Sequence, residues 1–139
     1  MTSKILARAA VAVAVVALAL TAPTRVSAHH AIQAEFDLAK TGSFTGKLTR
    51  FALINPHVRW FFEEKKADGK VVVWEMTGAG PGALRSAGLV RMFETGKTYD
   101  VTFAPALKGG NLGRVRTMKG EDGKVVTLFH EDPNNPLNN

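Results

Sequence analysis

Alternation of apolar and polar residues, interrupted at short intervals by turn residues, is the feature that most constrains the fold of this chain. The runs Val58 to Glu64 and Tyr99 to Ala104 show it most clearly. Because successive side chains of a β-strand point to opposite faces, such runs predict strands with one buried face. The buried faces would be formed by Val58, Trp60, Phe62, Tyr99, Val101 and Phe103.

The order of the predicted elements favours a small barrel. Further strands are predicted over Ser43 to Ile54, Val71 to Met76, Leu112 to Met118 and Lys124 to Phe129, with a short helix over Ala83 to Ala87. Three strands, one short helix and two or three more strands are typical of an OB-like barrel, whose closure removes exposed strand edges. We therefore predict an all-β fold, a small antiparallel OB-like barrel, with a β-sandwich as the alternative.

The first 28 residues have the pattern of a secretory signal peptide. Lys4 and Arg8 give a positive start, Ala9 to Ala22 is an uncharged apolar run, and Val26-Ser27-Ala28 offers the small residues that a signal peptidase reads. The run is shorter than the ~20 residues that a membrane span needs. We expect a periplasmic protein, cut after Ala28 and not inserted in the membrane, with an uncleaved anchor as the alternative.

Cleavage after Ala28 would leave a small, mildly basic protein. It would remove three of the 18 basic residues and none of the 12 acidic ones, leaving 111 residues with a net charge of +3. This length suits one domain, which we place at residues 29–131, followed by a flexible tail over residues 132–139. The small charge gives no reason to expect nucleic acid as a partner. The chain has no cysteine, which excludes disulfides and thiolate sites.

The expected cleavage would place a histidine pair, His29 and His30, at the start of the mature chain. The terminal amine and the imidazole of His29 would then form a chelating unit, with His57 or His30 adding a second imidazole. Nitrogen-rich donor sets of this kind favour copper(II) among the divalent first-row metals. Glu35 and Asp37 could add an oxygen ligand or a hydrogen bond that orients a ligand. We therefore expect a copper(II) site at these histidines.

Each histidine also has a purely structural interpretation. A histidine pair at a chain terminus is often solvated and mobile. His57 follows Asn55-Pro56 and could fix that turn through hydrogen bonds. His130 precedes Glu131 and Asp132, which favours a surface position. Metal binding and these structural roles are both compatible with the sequence.

A second candidate site is the strand face opposite two tryptophans, Trp60 and Trp74, which are predicted to lie in the core. That outer face would carry an apolar row formed by Phe61, Val71 and Val73. The row could bind a small polar ligand or a periplasmic partner protein, or it could be covered by the segment from His29 to Lys40.

The arginines are predicted to be solvated. They are spread over several predicted elements as Arg50, Arg59, Arg85, Arg91, Arg114 and Arg116. Arg114 and Arg116 share one strand face because they are two residues apart.

The sequence carries none of the familiar catalytic signatures. It has no cysteine nucleophile, no nucleophile elbow, no His-Glu-x-x-His motif and no nucleotide-binding glycine loop. We therefore expect a binding protein rather than an enzyme. A metal-dependent oxidative enzyme that uses the same histidines is the catalytic alternative.

Five short motifs are spread over the expected mature chain. They are His29-His30, Ala34-Glu35-Phe36-Asp37, Gly46-Lys47-Leu48, Asn55-Pro56-His57, and Asp68-Gly69-Lys70-Val71 with Trp74. Together they resemble an uncharacterised family of small bacterial periplasmic proteins, which carry a domain of unknown function. The resemblance spans His29 to Phe129. It implies export and a compact β fold but no established activity, and it places His29, His30, Glu35, Asp37 and His57 in motif positions.

Overall fold

Six β-strands and two short α-helices form the part of the chain that the computed structural model describes, residues 28–130, 132 and 134–138. The elements are α1 (Ala28–Glu35), β1 (Gly42–Ala52), β2 (Arg59–Lys65), β3 (Val71–Thr77), α2 (Pro81–Ser86), β4 (Thr98–Pro105), β5 (Leu112–Gly120) and β6 (Val125–Thr127). Two 3-10 helices cover Val90–Met92 and Pro136–Asn138. The expected signal peptide, apart from Ala28, lies outside the described residues.

Five of the strands close into a barrel. Neighbours are antiparallel in the order β3, β2, β1, β4, β5, and β5 then returns to pair with β3 in parallel. β6 pairs with residues 117–119 of β5, beyond the stretch that meets β3. The β3–β5 ladder distinguishes this fold from a β-sandwich, in which two sheets pack face to face without such a ladder. The prediction of a small all-β, OB-like barrel is confirmed.

The interior is formed by the alternating residues that the sequence singled out. The predicted inner rows of β2 and β4 are all buried, with Trp60 fully so. Trp74 is half-buried and stacks on Phe44, with ring centroids 4.8 Å apart. The interior therefore combines aliphatic packing with a group of aromatic rings, and the apolar area removed from water is the main source of stability.

α2 packs against this interior through Leu84, which is fully buried. The helix was predicted over Ala83 to Ala87, and it begins two residues earlier, at Pro81. Proline is favoured in the first helical turn because its missing N–H would have no intrahelical partner there.

α1 and the residues after it pack against the end of β4. Ile32 and Phe36 are buried against Ala104. The Leu107 N–H donates to the carbonyl of Glu35 over 2.9 Å. The last turn of α1 is therefore held to the barrel by both apolar and main-chain contacts.

The 3-10 helix Pro136–Asn138 lies in the segment that was expected to be a flexible tail, and two of its residues, Leu137 and Asn138, are buried. The Asn138 side-chain amide donates to the carbonyls of His130 and Asp132, over 2.8 and 2.6 Å, and its Oδ1 accepts from the His130 N–H over 2.8 Å. This end of the described chain is therefore docked on the barrel.

Candidate functional site

His57 lies in the loop between β1 and β2, next to charged residues from three other parts of the chain. Its side chain is half-buried. Burial lowers the pKa of His57, and the positive charges of Arg114 and Arg59 lower it further, against the opposing charge of Glu35. The imidazole is therefore neutral at neutral pH, which is the form that binds a metal ion.

The imidazole of His57 takes no part in the hydrogen bonds between described residues. The nearby main chain is instead held by the Val58 N–H, which donates to the carbonyl of Ala79 over 3.0 Å. The turn is thus fixed by backbone contacts, and the ring nitrogens of His57 keep their hydrogen-bonding capacity.

Glu35 and Asp37, the two predicted supporting carboxylates, have different surroundings. Glu35 is exposed at the end of α1, and its charge acts on both His57 and Arg114. Asp37 forms an ion pair with Lys40 over 2.9 Å, and this contact lowers the pKa of Asp37. Glu35 can therefore influence the site, whereas Asp37 is engaged in a local turn.

His29 and His30 lie in the first turn of α1, and their side chains fall outside what the structure describes. Their backbone is within one helical turn of Ile32, which is buried. Among the described side chains, no group of three or more His, Asp or Glu residues could hold a metal ion. A complete donor set would thus need the α1 histidines in addition to His57.

The second predicted site, on the outer face of the β2–β3 hairpin, is open on its β3 side. Val71 and Val73 are 56% and 55% exposed. Phe61 is half-buried beneath the guanidinium of Arg50, whose carbon lies 3.8 Å from the ring centroid. Glu63 pairs with Val73 across the strands, so the face mixes apolar and charged side chains.

Arg114 is the residue that sequence reasoning missed. It was expected to be solvated, but only 1% of its surface is exposed. It lies on the outer face of β5, where alternation with the buried Val115 puts it, and other parts of the chain cover it. One terminal nitrogen donates to the carbonyl of Asn138 over 2.7 Å and the other to that of Gly78 over 3.3 Å. No local pattern could reveal a cover that comes from residues far along the chain.

A groove of about 360 Å³ lies elsewhere, between the 3-10 helix Val90–Met92, β4 and the β5–β6 turn. Its floor includes Tyr99 and Met118, and its rim carries the pairs Lys97–Glu121 and Lys124–Asp122. It contains none of the predicted site residues.

In the described part of the chain, no helix has the length and apolar character needed to cross a membrane. The model of one protein family, described as a family of unknown function (DUF6152), matches residues 14–115, which is well over half of the chain. Neither the curated proteins nor the solved structures contain a match to this chain.

Proposed function

Because the chain belongs to a family of unknown function (DUF6152), its activity has to be inferred from its own residues, and we propose that it is an exported periplasmic binding protein that holds copper(II) at its N-terminal histidines. The donors would be the amine and imidazole of His29, with His57 or His30 adding another imidazole. The protein is a binding module and not an enzyme in this proposal.

The observation that supports the proposal most is the electrostatic link between the end of α1 and His57. The charge of Glu35 is close enough to raise the pKa of His57 against the effect of burial. Glu35, the last residue of the helix that carries His29 and His30, therefore lies within electrostatic range of His57. Because burial keeps the His57 imidazole neutral, a metal would not have to displace a proton from it at neutral pH.

The chelate at His29 depends on a free amine. An α-amino group has a pKa of about 8, so copper would have to displace a proton from it near neutrality. Copper affinity should therefore rise with pH between about 6 and 8. The positive charges of Arg114 and Arg59 disfavour the binding of a copper ion beside His57, whereas the negative charge of Glu35 favours it.

The test is a copper(II) titration of the protein that begins at His29, compared with a variant carrying two extra residues, Gly-Pro, before His29. The extension displaces the amine from the chelate, and proline has no amide N–H that copper could replace to form a new chelate at the terminus. Copper binding should therefore weaken by at least tenfold. His57→Ala tests the second imidazole, and His130→Ala is its matched control, because the proposal makes no use of that imidazole. Equal affinity of the extended and authentic proteins would refute the chelate.

A second candidate function is the binding of a small polar ligand or a partner protein at the outer row of Phe61, Val71 and Val73. The exposure of Val71 and Val73 favours it, because valines of an outer strand row that are more than half exposed leave apolar area available to a partner. A photo-crosslinking residue at position 73 should then yield a defined adduct in the periplasm, and one at position 119 on β5 should not. The same adducts from both positions would reject this surface.

The metal content of protein purified from the periplasm without an affinity resin separates the two candidates. Copper at close to one equivalent supports the first function. Protein free of metal that forms the position-73 adduct supports the second.

A further inference from the structure

The groove beside the 3-10 helix Val90–Met92 has room for a small molecule, and neither proposed function uses it. Its volume of about 360 Å³ lies near the lower end of the range of about 300–1,000 Å³ that is typical of ligand pockets. Its base is formed by four apolar or aromatic side chains that are each at most 9% exposed, Phe93, Tyr99, Met118 and Val126. The groove therefore has a packed floor, and its charged rim is exposed to water.

Two side chains hold the walls of the groove in place by bonding to the main chain. The Tyr99 hydroxyl accepts from the Glu94 N–H over 2.8 Å and donates to the Met92 carbonyl over 3.3 Å, which ties β4 to the 3-10 helix. The Glu121 carboxylate accepts from the Thr98 N–H over 3.1 Å, which ties the β5–β6 turn to the start of β4. Walls that are fixed before a ligand enters lose less conformational freedom on binding.

The rim of the groove carries three positive and three negative side chains. The ion pairs Lys97–Glu121 and Lys124–Asp122 account for four of them. The other two, Arg91 and Glu94, are both exposed, and they do not form an ion pair with each other. The rim therefore offers one positive and one negative charge that a molecule entering the groove can reach from the solvent.

We propose that this groove binds a small zwitterion of the amino-acid class, with a carboxylate, an ammonium group and an apolar side chain. The Arg91 guanidinium holds the carboxylate, because its N–H groups form a planar fork that matches two carboxylate oxygens. The Glu94 carboxylate holds the ammonium group. The apolar side chain of the ligand lies over the floor at Tyr99 and Met118, where it is removed from water.

A ligand with a single charge suits this rim less well. An anion attracted by Arg91 is repelled by Glu94, and a cation attracted by Glu94 is repelled by Arg91. A zwitterion meets a favourable charge at both places. Because ion pairs that are open to water are weak, we expect binding at millimolar rather than nanomolar ligand.

This site is separate from both proposed functions. It uses none of the donors at His29, His30 or His57, and it lies away from the Phe61 row on β2 and β3. The failure of this proposal would therefore leave the other two standing, and their failure would leave this one. The experiment uses metal-free protein, since free amino acids themselves bind copper(II) through nitrogen and oxygen donors.

The test follows the Met118 methyl and Tyr99 ring resonances by NMR while L-leucine is added to the protein that begins at His29. Tyr99 is the single tyrosine of the chain, so its ring signals have one source. Both sets of resonances should shift saturably at millimolar leucine. Leucinamide lacks the carboxylate, N-acetyl-leucine lacks the ammonium charge and glycine lacks the side chain, so each should bind at least several-fold more weakly.

The proposal would be overturned if leucine caused no saturable shift. Equal affinities for leucine and leucinamide, or for leucine and N-acetyl-leucine, would also overturn it, because the groove would then not recognise both charges.

Variants assign each charge to its partner, and their side chains are exposed, so the fold should persist. Arg91→Gln should weaken leucine binding several-fold without weakening leucinamide binding, because the amide has no carboxylate for Arg91 to hold. Glu94→Gln should weaken leucine binding without weakening N-acetyl-leucine binding. Arg85→Gln, an exposed arginine of α2 outside the groove, is the matched control and should keep the full leucine affinity. Undiminished leucine affinity in Arg91→Gln or in Glu94→Gln would refute the site.

Discussion

Among the charged residues that affect His57, Arg114 has the largest effect on its pKa. The arginine is buried on β5, and its charge lowers the pKa of His57 across the end of the barrel. A buried cation acts strongly because little water screens it. The chemistry available to His57 therefore depends on a residue more than fifty positions away in sequence.

Removal of this charge should raise the pKa of His57. In Arg114→Met, burial of the imidazole persists but the larger of the two cationic influences is lost, so the pKa should move up toward its ordinary value of 6.5. An NMR titration of the His57 ring protons measures it. Arg91→Met, an exposed arginine near the groove, is the control. An unchanged or lower His57 pKa in Arg114→Met would contradict the coupling.

His57 should also make stability depend on pH. Because its pKa is lowered in the folded protein, the unfolded chain takes up the proton first as the pH falls below about 6.5. The stabilising contribution is present above that pH and is lost as the pH falls toward the folded pKa. Between pH 7 and 5, the free energy of unfolding in urea should therefore decrease more in the wild type than in His57→Gln. Equal decreases in both proteins would show that His57 is not responsible.

At the level of elements, the barrel depends on close approaches of strands that only glycine permits. Gly113 pairs with Met76 in the ladder that closes the barrel, and a methyl group added there would lie 2.3 Å from the ring of Phe103. Gly82 in α2 has no atom within 4 Å of the same added group. A side chain at position 113 would therefore clash with its surroundings, whereas position 82 has room for one.

Gly113→Ala should destabilise the protein by about 1–3 kcal/mol, because the ring of Phe103 must move to admit the methyl group. Gly82→Ala should be neutral or stabilising by up to about 1 kcal/mol, because alanine favours the helix. Urea denaturation of both variants gives the two values. Equal effects at the two positions would argue against the close strand approach at Gly113.

The docked 3-10 helix depends on Asn138 in a similar way. Asn138→Ala removes three hydrogen bonds to the main chain of His130 and Asp132, each worth about 1 kcal/mol net. We expect a loss of about 2–3 kcal/mol in unfolding free energy and faster hydrogen exchange at the His130 amide. Asn134→Ala, an exposed asparagine of the same segment, should change neither. Unaltered exchange in Asn138→Ala would mean that the segment is held by other contacts.

For the whole molecule, patterns in the sequence predicted the positions of the strands but not the chain segments that cover the outer face of β5. Alternation along β2 and β4 identified the inner rows, and Asp68-Gly69 correctly marked the hairpin, where Gly69 has a φ of 83°. Local patterns report which face of a strand is apolar, and this was enough to favour a barrel.

The burial of Arg114 could not be predicted in this way, because its cover comes from Gly78, Phe129 and Asn138, which are far apart along the chain. The same limit applies to the candidate metal site. The proximity of Glu35 to His57 arises from the docking of α1 on β4, which is a tertiary contact. Sequence motifs predicted the histidines that could donate to a metal, but not the charges of Glu35 and Arg114 that act on His57.

We propose that export and cleavage create a copper-binding histidine at the start of a small barrel. This can be checked by native mass spectrometry of the protein released from the periplasm and purified without affinity resin. We expect the mass of residues 29–139 plus one copper ion. The intact precursor, a different first residue, or a metal-free mature chain that stays metal-free when copper is added would contradict it.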